Sequence, residues 1–176
     1  TDGTAIWYNS SFVDITKHVD NSHENNVPEE FQVNVAIRWD RNFLYVGAVV
    51  KEPFVYGTIT GHNKVAPYHD NDFEIFLDPD GDTHNYYELE INAYGTEWDL
   101  LLIKPYRDAH KVAVDSWNIA GLITAIYING TLNNPDDIDK GWSAEIAIPW
   151  NTLEDYSNNR IPVDGQQWRI NFSRVQ

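Results

Sequence analysis

Neither cysteine nor methionine occurs among the 176 residues. Without thiols there can be no disulfide, no thiolate-held zinc or iron–sulfur cluster and no sulfur nucleophile. Without methionine, a haem would have to rest on a pair of histidines, and no haem is expected. Basic residues are few: 12 Lys and Arg stand against 27 Asp and Glu, for a formal net charge of −15. So acidic a surface repels phosphate backbones, anionic membranes and heavily sulfated glycans, which excludes nucleic acid as the expected partner. A cation or a neutral ligand suits it. No apolar run is long enough to span a bilayer, so no membrane insertion is expected. P-loop, G-x-G-x-x-G, G-x-S-x-G and H-E-x-x-H spacings are also missing, which leaves little sign of an enzyme.

What is present is apolar and aromatic. Hydrophobic residues make up 42% of the chain, enough for a core, and the length suits a single domain over residues 1–176. Seven Trp and ten Tyr exceed what a core of this size needs, so exposed rings are expected.

Period-2 alternation dominates the pattern. In residues 31–39, Phe31, Val33, Val35, Ile37 and Trp39 share one face of a half-buried strand. Residues 43–50 are almost continuously apolar and read as a central strand buried on both faces. Residues 72–78 turn Phe73, Ile75 and Leu77 inward, and residues 86–94 do the same with Tyr87, Leu89, Ile91 and Ala93. Further strands are expected at 98–103, 122–128, 142–148 and 167–175, separated by turn signals such as Pro-Asp-Gly-Asp and Asn-Gly-Thr. Only residues 149–156 look helical, with Pro149 in the first turn. The expected fold is all-β: an antiparallel, jelly-roll-like β-sandwich of two sheets with one short helix near 149–156.

Three groups of residues carry chemistry. The first is the hairpin from Tyr68 to Leu100, where Glu74, Glu88 and Glu90 alternate out of step with the core and must line one sheet face beside Asn92. Sugar hydroxyls bond carboxylates, amides and guanidinium groups, while sugar C–H faces lie on aromatic rings. With Tyr68, Trp98 and Trp117 at the rim and Arg38 alongside, such a face offers both. The opposing reading pairs the carboxylates with Arg38, Arg169 and Arg174 in cross-strand ladders, with no ligand; Glu145 and Arg169 fit that reading better.

The second group is Asp78, Asp80 and Asp82, three hard-oxygen donors at alternate positions of a turn. Calcium is the candidate cofactor there. The spacing departs from an EF-hand, with Gly81 at the fourth position and Leu89 at the twelfth, and a solvated hairpin turn is the plainer reading of these residues. The third is histidine: His18, His23, His62, His69, His84 and His110 are scattered, and only His62 and His69, followed by Asp70 and Asp72, come near a metal arrangement.

Five segments together resemble the family 9 carbohydrate-binding modules and their relatives in bacterial secreted proteins: FVDI (12–15), IRWDRNFLYVGAVVKEP (37–53), HDNDFEIFLDPDGDTHNYYELEINAYGTEWDLLLIKPYRD (69–108), GTLNNPDDIDKGWSAEIAIPW (130–150) and WRINFSRVQ (168–176). The resemblance implies a non-catalytic sandwich, secreted to the extracellular space or periplasm. It would bind a neutral oligo- or polysaccharide, carry structural calcium and ride on a larger parent enzyme or surface protein. It places a sugar-stacking aromatic at Tyr68 and a hydroxyl-binding carboxylate at Glu74. Glu90 stands where the family has an arginine, a departure that removes a bidentate donor. Family chains also continue past the NFSRV strand to a second stacking aromatic, so the sequence is expected to be a piece of a longer chain. The candidate carbohydrate-binding residues are Tyr68, Glu74, Glu90, Asn92 and Trp98. The alternative is a structural or self-assembling extracellular protein that keeps the fold without the sugar; an enzyme using a pair such as Glu74 and Glu90 is the remaining possibility.

Overall fold

The computed structural model describes residues 7, 9–17, 27–61, 67–108, 111–157 and 161–176. Among these, ten strands form two five-stranded antiparallel sheets. The first has the order β1 (Val13–Ile15), β2 (Val33–Trp39), β3 (Phe43–Val50), β9 (Gly141–Pro149), β8 (Ile123–Asn129). The second has the order β10 (Arg169–Val175), β4 (Asp72–Asp78), β5 (Tyr86–Asn92), β6 (Glu97–Leu102), β7 (Ala113–Val114).

Alternation explains the sandwich. Val33, Val35, Val46, Ala48, Ile146 and Ile148 of the first sheet meet Phe73, Ile75, Leu77, Leu89 and Ile91 of the second in one buried cluster. Removing a side chain such as Phe73, fully buried and stacked on Phe172 at 5.9 Å, would cost about 3–5 kcal/mol. All eight strands expected from the sequence are present. The two additional strands, β1 and β7, have three and two residues, too few to show a period.

Three expectations are corrected. The helix over 149–156 is two 3₁₀ turns, Trp150–Thr152 and Glu154–Tyr156, in a stretch where Asn, Thr and Asp give an α-helix little propensity. Trp39 does not join the core. It is 73% exposed, because β1 pairs only with residues 33–35 of β2 and leaves the far end of that strand at a corner of the sheet. Strand β3 is covered on its outer face only in part. Gly47 is roofed by the Trp7 indole, which donates to Glu145 at 2.7 Å, while Val49 is 46% exposed.

Candidate functional site

The outer face of the second sheet is organised in rows by strand register. Ser173, Glu74, Glu90 and Trp98 lie opposite one another across β10, β4, β5 and β6. The next row runs Asn171, Phe76, Glu88 and Leu100. Of the candidate carbohydrate-binding residues, Glu74, Glu90 and Trp98 are therefore brought together in one row. Tyr68 sits in the 3₁₀ turn Pro67–His69, its backbone N–H donates to the Glu90 carboxylate, and its ring lies 6.2 Å from that of Trp98.

These carboxylates face away from the core, yet two of them are covered. Glu88 and Glu90 are each 3% exposed, whereas Glu74 is half-buried and Tyr68 is 39% exposed. The Tyr106 hydroxyl closes over Glu88 and donates to its Oε2 at 2.6 Å. Leu100, Leu102 and Val112 form a small second core beside Phe76, Tyr86 and Trp98 on the same face. A sheet face that alternation alone reads as solvated is thus partly roofed by the turn at Tyr68 and by Tyr106 and Val112.

Electrostatics follow from that roof. Burial first, then the neighbouring carboxylates, hold the Glu90 proton to a pKa of about 9. Burial and then Glu74 raise Asp72 to about 8, and burial raises Glu88 to about 7 against the pull of the Tyr106 hydrogen bond. Glu74 is raised by burial, opposed by a hydrogen bond from Ser173. Glu90 Oε2 and Asp72 Oδ2 are buried with no hydrogen-bond partner among the described residues.

Asn92 has a different task from the one expected. It is fully buried and all its hydrogen-bonding capacity is used inside the fold. Its Nδ2 donates to the Ile59 carbonyl at 2.9 Å and to Asp70 Oδ2 at 2.7 Å, and its Oδ1 accepts from the backbone of Tyr94 and Thr96. Asp70 also accepts from the backbone of Thr58 and Ile59. Through Asp70, two residues from Tyr68, this knot holds residues 58–59 to the end of β5 and makes Asn92 a positioning residue. The polar run Asp70-Asn71-Asp72 ahead of a strand was its only sequence signal.

Other expected partners are elsewhere. Trp117 is partly buried and packs on Tyr87 of the core at 4.8 Å, not at the rim of the Glu74 face. Arg38 lies on the other sheet, where Nε donates to Ser10. Arg174 turns inward and binds Glu52 at 2.6 Å in a nearly buried pair. Arg169 is exposed opposite Asp78. The proposed arginine ladder on Glu74, Glu88 and Glu90 is therefore absent among the described residues.

Asp78, Asp80 and Asp82 bring ligand oxygens within 4.8 Å of one another. Each also accepts from backbone N–H groups of its own turn: Asp78 from Gly81 and Thr83, Asp80 from Asp82, and Asp82 from His84. Of the histidines, His69 lies against Tyr68 and His84 beside Asp82. His18, His23, His62 and His110 lie outside the described residues, so the pairing of His62 with His69 does too.

Fold and site together define a β-sandwich with one sheet face that is acidic, aromatic and partly roofed. The family pattern described as carbohydrate family 9 binding domain-like matches residues 1–171, and the chain belongs to that family, one of binding domains and not of catalysts. Among solved structures, a family 9 carbohydrate-binding module from Caldicellulosiruptor kristjanssonii, in complex with cellotriose, is 19% identical with a TM-score of 0.57. A candidate carbohydrate-binding protein from Bacteroides uniformis is 18% identical with a TM-score of 0.64. The chain is covered to 96% and 93% in these matches and spans about two thirds of those structures, 66% and 69%. No curated protein sequence matches it.

Proposed function

We propose that the chain is a non-catalytic carbohydrate-binding module that recognises a neutral glycan on the outer face of its second sheet. One observation carries this reading: the exposed Tyr68 ring stands 6.2 Å from Trp98, at one end of the row that runs on through Glu90 and Glu74 to Ser173. A sugar ring laid on Tyr68 would have aromatic surface below it and a half-buried carboxylate, Glu74, at its edge for hydroxyl hydrogen bonds. Glu88 and Glu90 lie too deep to share in direct contact and act as a foundation. The Trp98 and Tyr68 rings are tilted by 38° to one another.

The cellotriose bound by the Caldicellulosiruptor module makes cello-oligosaccharides the first probes. Calorimetric titration with cellobiose, cellotriose and xylo-oligosaccharides should detect binding, and Tyr68→Ala should weaken it by about tenfold or more, equivalent to 1.4 kcal/mol. Absence of binding to every neutral glycan tried, by a folded chain, sinks the proposal.

A second reading has the covered state of Glu88 and Glu90 in its favour. In it the sandwich serves as a structural or self-assembling extracellular element. Concentration-dependent association in sedimentation, without any sugar binding, would favour that reading.

A further inference from the structure

Glu74, Glu88 and Glu90 come from two neighbouring strands, and one oxygen of each lies within 4.8 Å of the others. A hard cation holds oxygens at about 2.3–2.6 Å, so oxygens at such separations can all touch one ion placed between them. Among the described residues, the donors to the three carboxylates are neutral. These are the Ser173 hydroxyl for Glu74, the Tyr106 hydroxyl for Glu88 and the Tyr68 backbone N–H for Glu90. The second oxygen of Glu90, in a residue 3% exposed, has no hydrogen-bond partner among the described residues. An unpaired buried carboxylate oxygen is costly, and a buried like-charge cluster more so, unless a cation or shared protons neutralise it.

We infer that Glu74, Glu88 and Glu90 form a binding site for one hard divalent cation of the calcium class, beneath Tyr68 and Tyr106. The donor set is all oxygen, which suits calcium, magnesium or manganese over zinc or copper. Glu88 and Glu90 form the inner wall, and half-buried Glu74 leaves the ion a way in from solvent. The Tyr68 N–H fixes Glu90 and the Tyr106 hydroxyl fixes Glu88, so the ligands are preoriented from behind. The site is separate from the Asp78, Asp80 and Asp82 turn, whose carboxylates are occupied by their own backbone. It does not depend on sugar binding, so its test is run without sugar.

The test is terbium luminescence excited through Trp98 and Tyr106, on chelator-stripped protein at neutral pH, with calcium and magnesium as competitors. The expected result is one sensitised terbium per chain, displaced by calcium. Binding should weaken by about tenfold or more in Glu90→Gln and in Glu74→Gln, and remain unchanged in the double variant Asp80→Asn, Asp82→Asn. Thermal melts with calcium should show the stabilisation of the parent chain lost in the same two glutamine variants. Glu74→Gln changes a half-buried residue and keeps the test alive should Glu90→Gln fail to fold. Absence of terbium and calcium binding by the folded parent chain overturns the inference, as does binding that survives both glutamine substitutions or that disappears in the asparagine variant.

Discussion

Single residues set the precision of this fold. Gly141 begins β9 with φ at 123°, and a Cβ there would lie 2.0 Å from the Val50 carbonyl oxygen. Gly141→Ala should therefore unfold the chain or cost more than about 3 kcal/mol in urea titration. Gly47 is a softer case. Its added Cβ would meet the Trp7 ring at 2.7 Å, and that ring can move off the sheet, so Gly47→Ala should shift Trp fluorescence while leaving the fold intact. Arg174 is bonded to Glu52, whose side chain is 2% exposed. Arg174→Met would strand that carboxylate and should cost about 3–5 kcal/mol, measured by chemical denaturation; a change under 1 kcal/mol would show that the pair contributes little.

At the scale of the element, β4 and β5 carry a linked set of protons. In the unfolded chain these carboxyls ionise near their ordinary values of 3.8 and 4.5. In the folded chain Glu88 holds its proton to about 7, Asp72 to about 8 and Glu90 to about 9. Between those limits the folded form binds more protons than the unfolded form, so stability must fall as pH rises. The loss begins near pH 4 and continues to about pH 9. In metal-free buffer, urea titrations should give a stability at pH 8 at least about 1.4 kcal/mol below that at pH 5. Glu90→Gln should flatten the slope. A stability that climbs from pH 5 to pH 8 would mean that the carboxylates are solvated or already neutralised by a partner.

Taken whole, the molecule is a strongly acidic shell around an apolar sandwich. A formal charge of −15 on 176 residues repels itself across the surface. Raising sodium chloride to about 0.5 M shortens the screening length to about 4 Å, so the melting temperature should rise by about 2–4 °C in calorimetry. Calcium at millimolar concentration should exceed that effect at equal ionic strength if it is bound at a defined site. The same charge disfavours phosphate-rich partners, in keeping with the neutral ligand proposed above.

Hydrophobic patterning by itself determined the eight longer strands, inward residues such as Val33, Phe73, Ile75, Leu89 and Ile91, and the outward direction of Glu74, Glu88 and Glu90, because a strand's side-chain period is a local property of the backbone. The motifs at 37–53, 69–108 and 142–150 carried the family. What covers an outward face is decided by segments distant in sequence, and no period reports them. Only the tertiary structure could show that Tyr106 and the turn at Tyr68 roof Glu88 and Glu90. The same holds for Asn92, committed to Asp70 rather than to a ligand, and for Trp117 against Tyr87 and Arg174 on Glu52. The direction of each side chain was legible because it depends on adjacent residues; its exposure was not, because it depends on where the loops return.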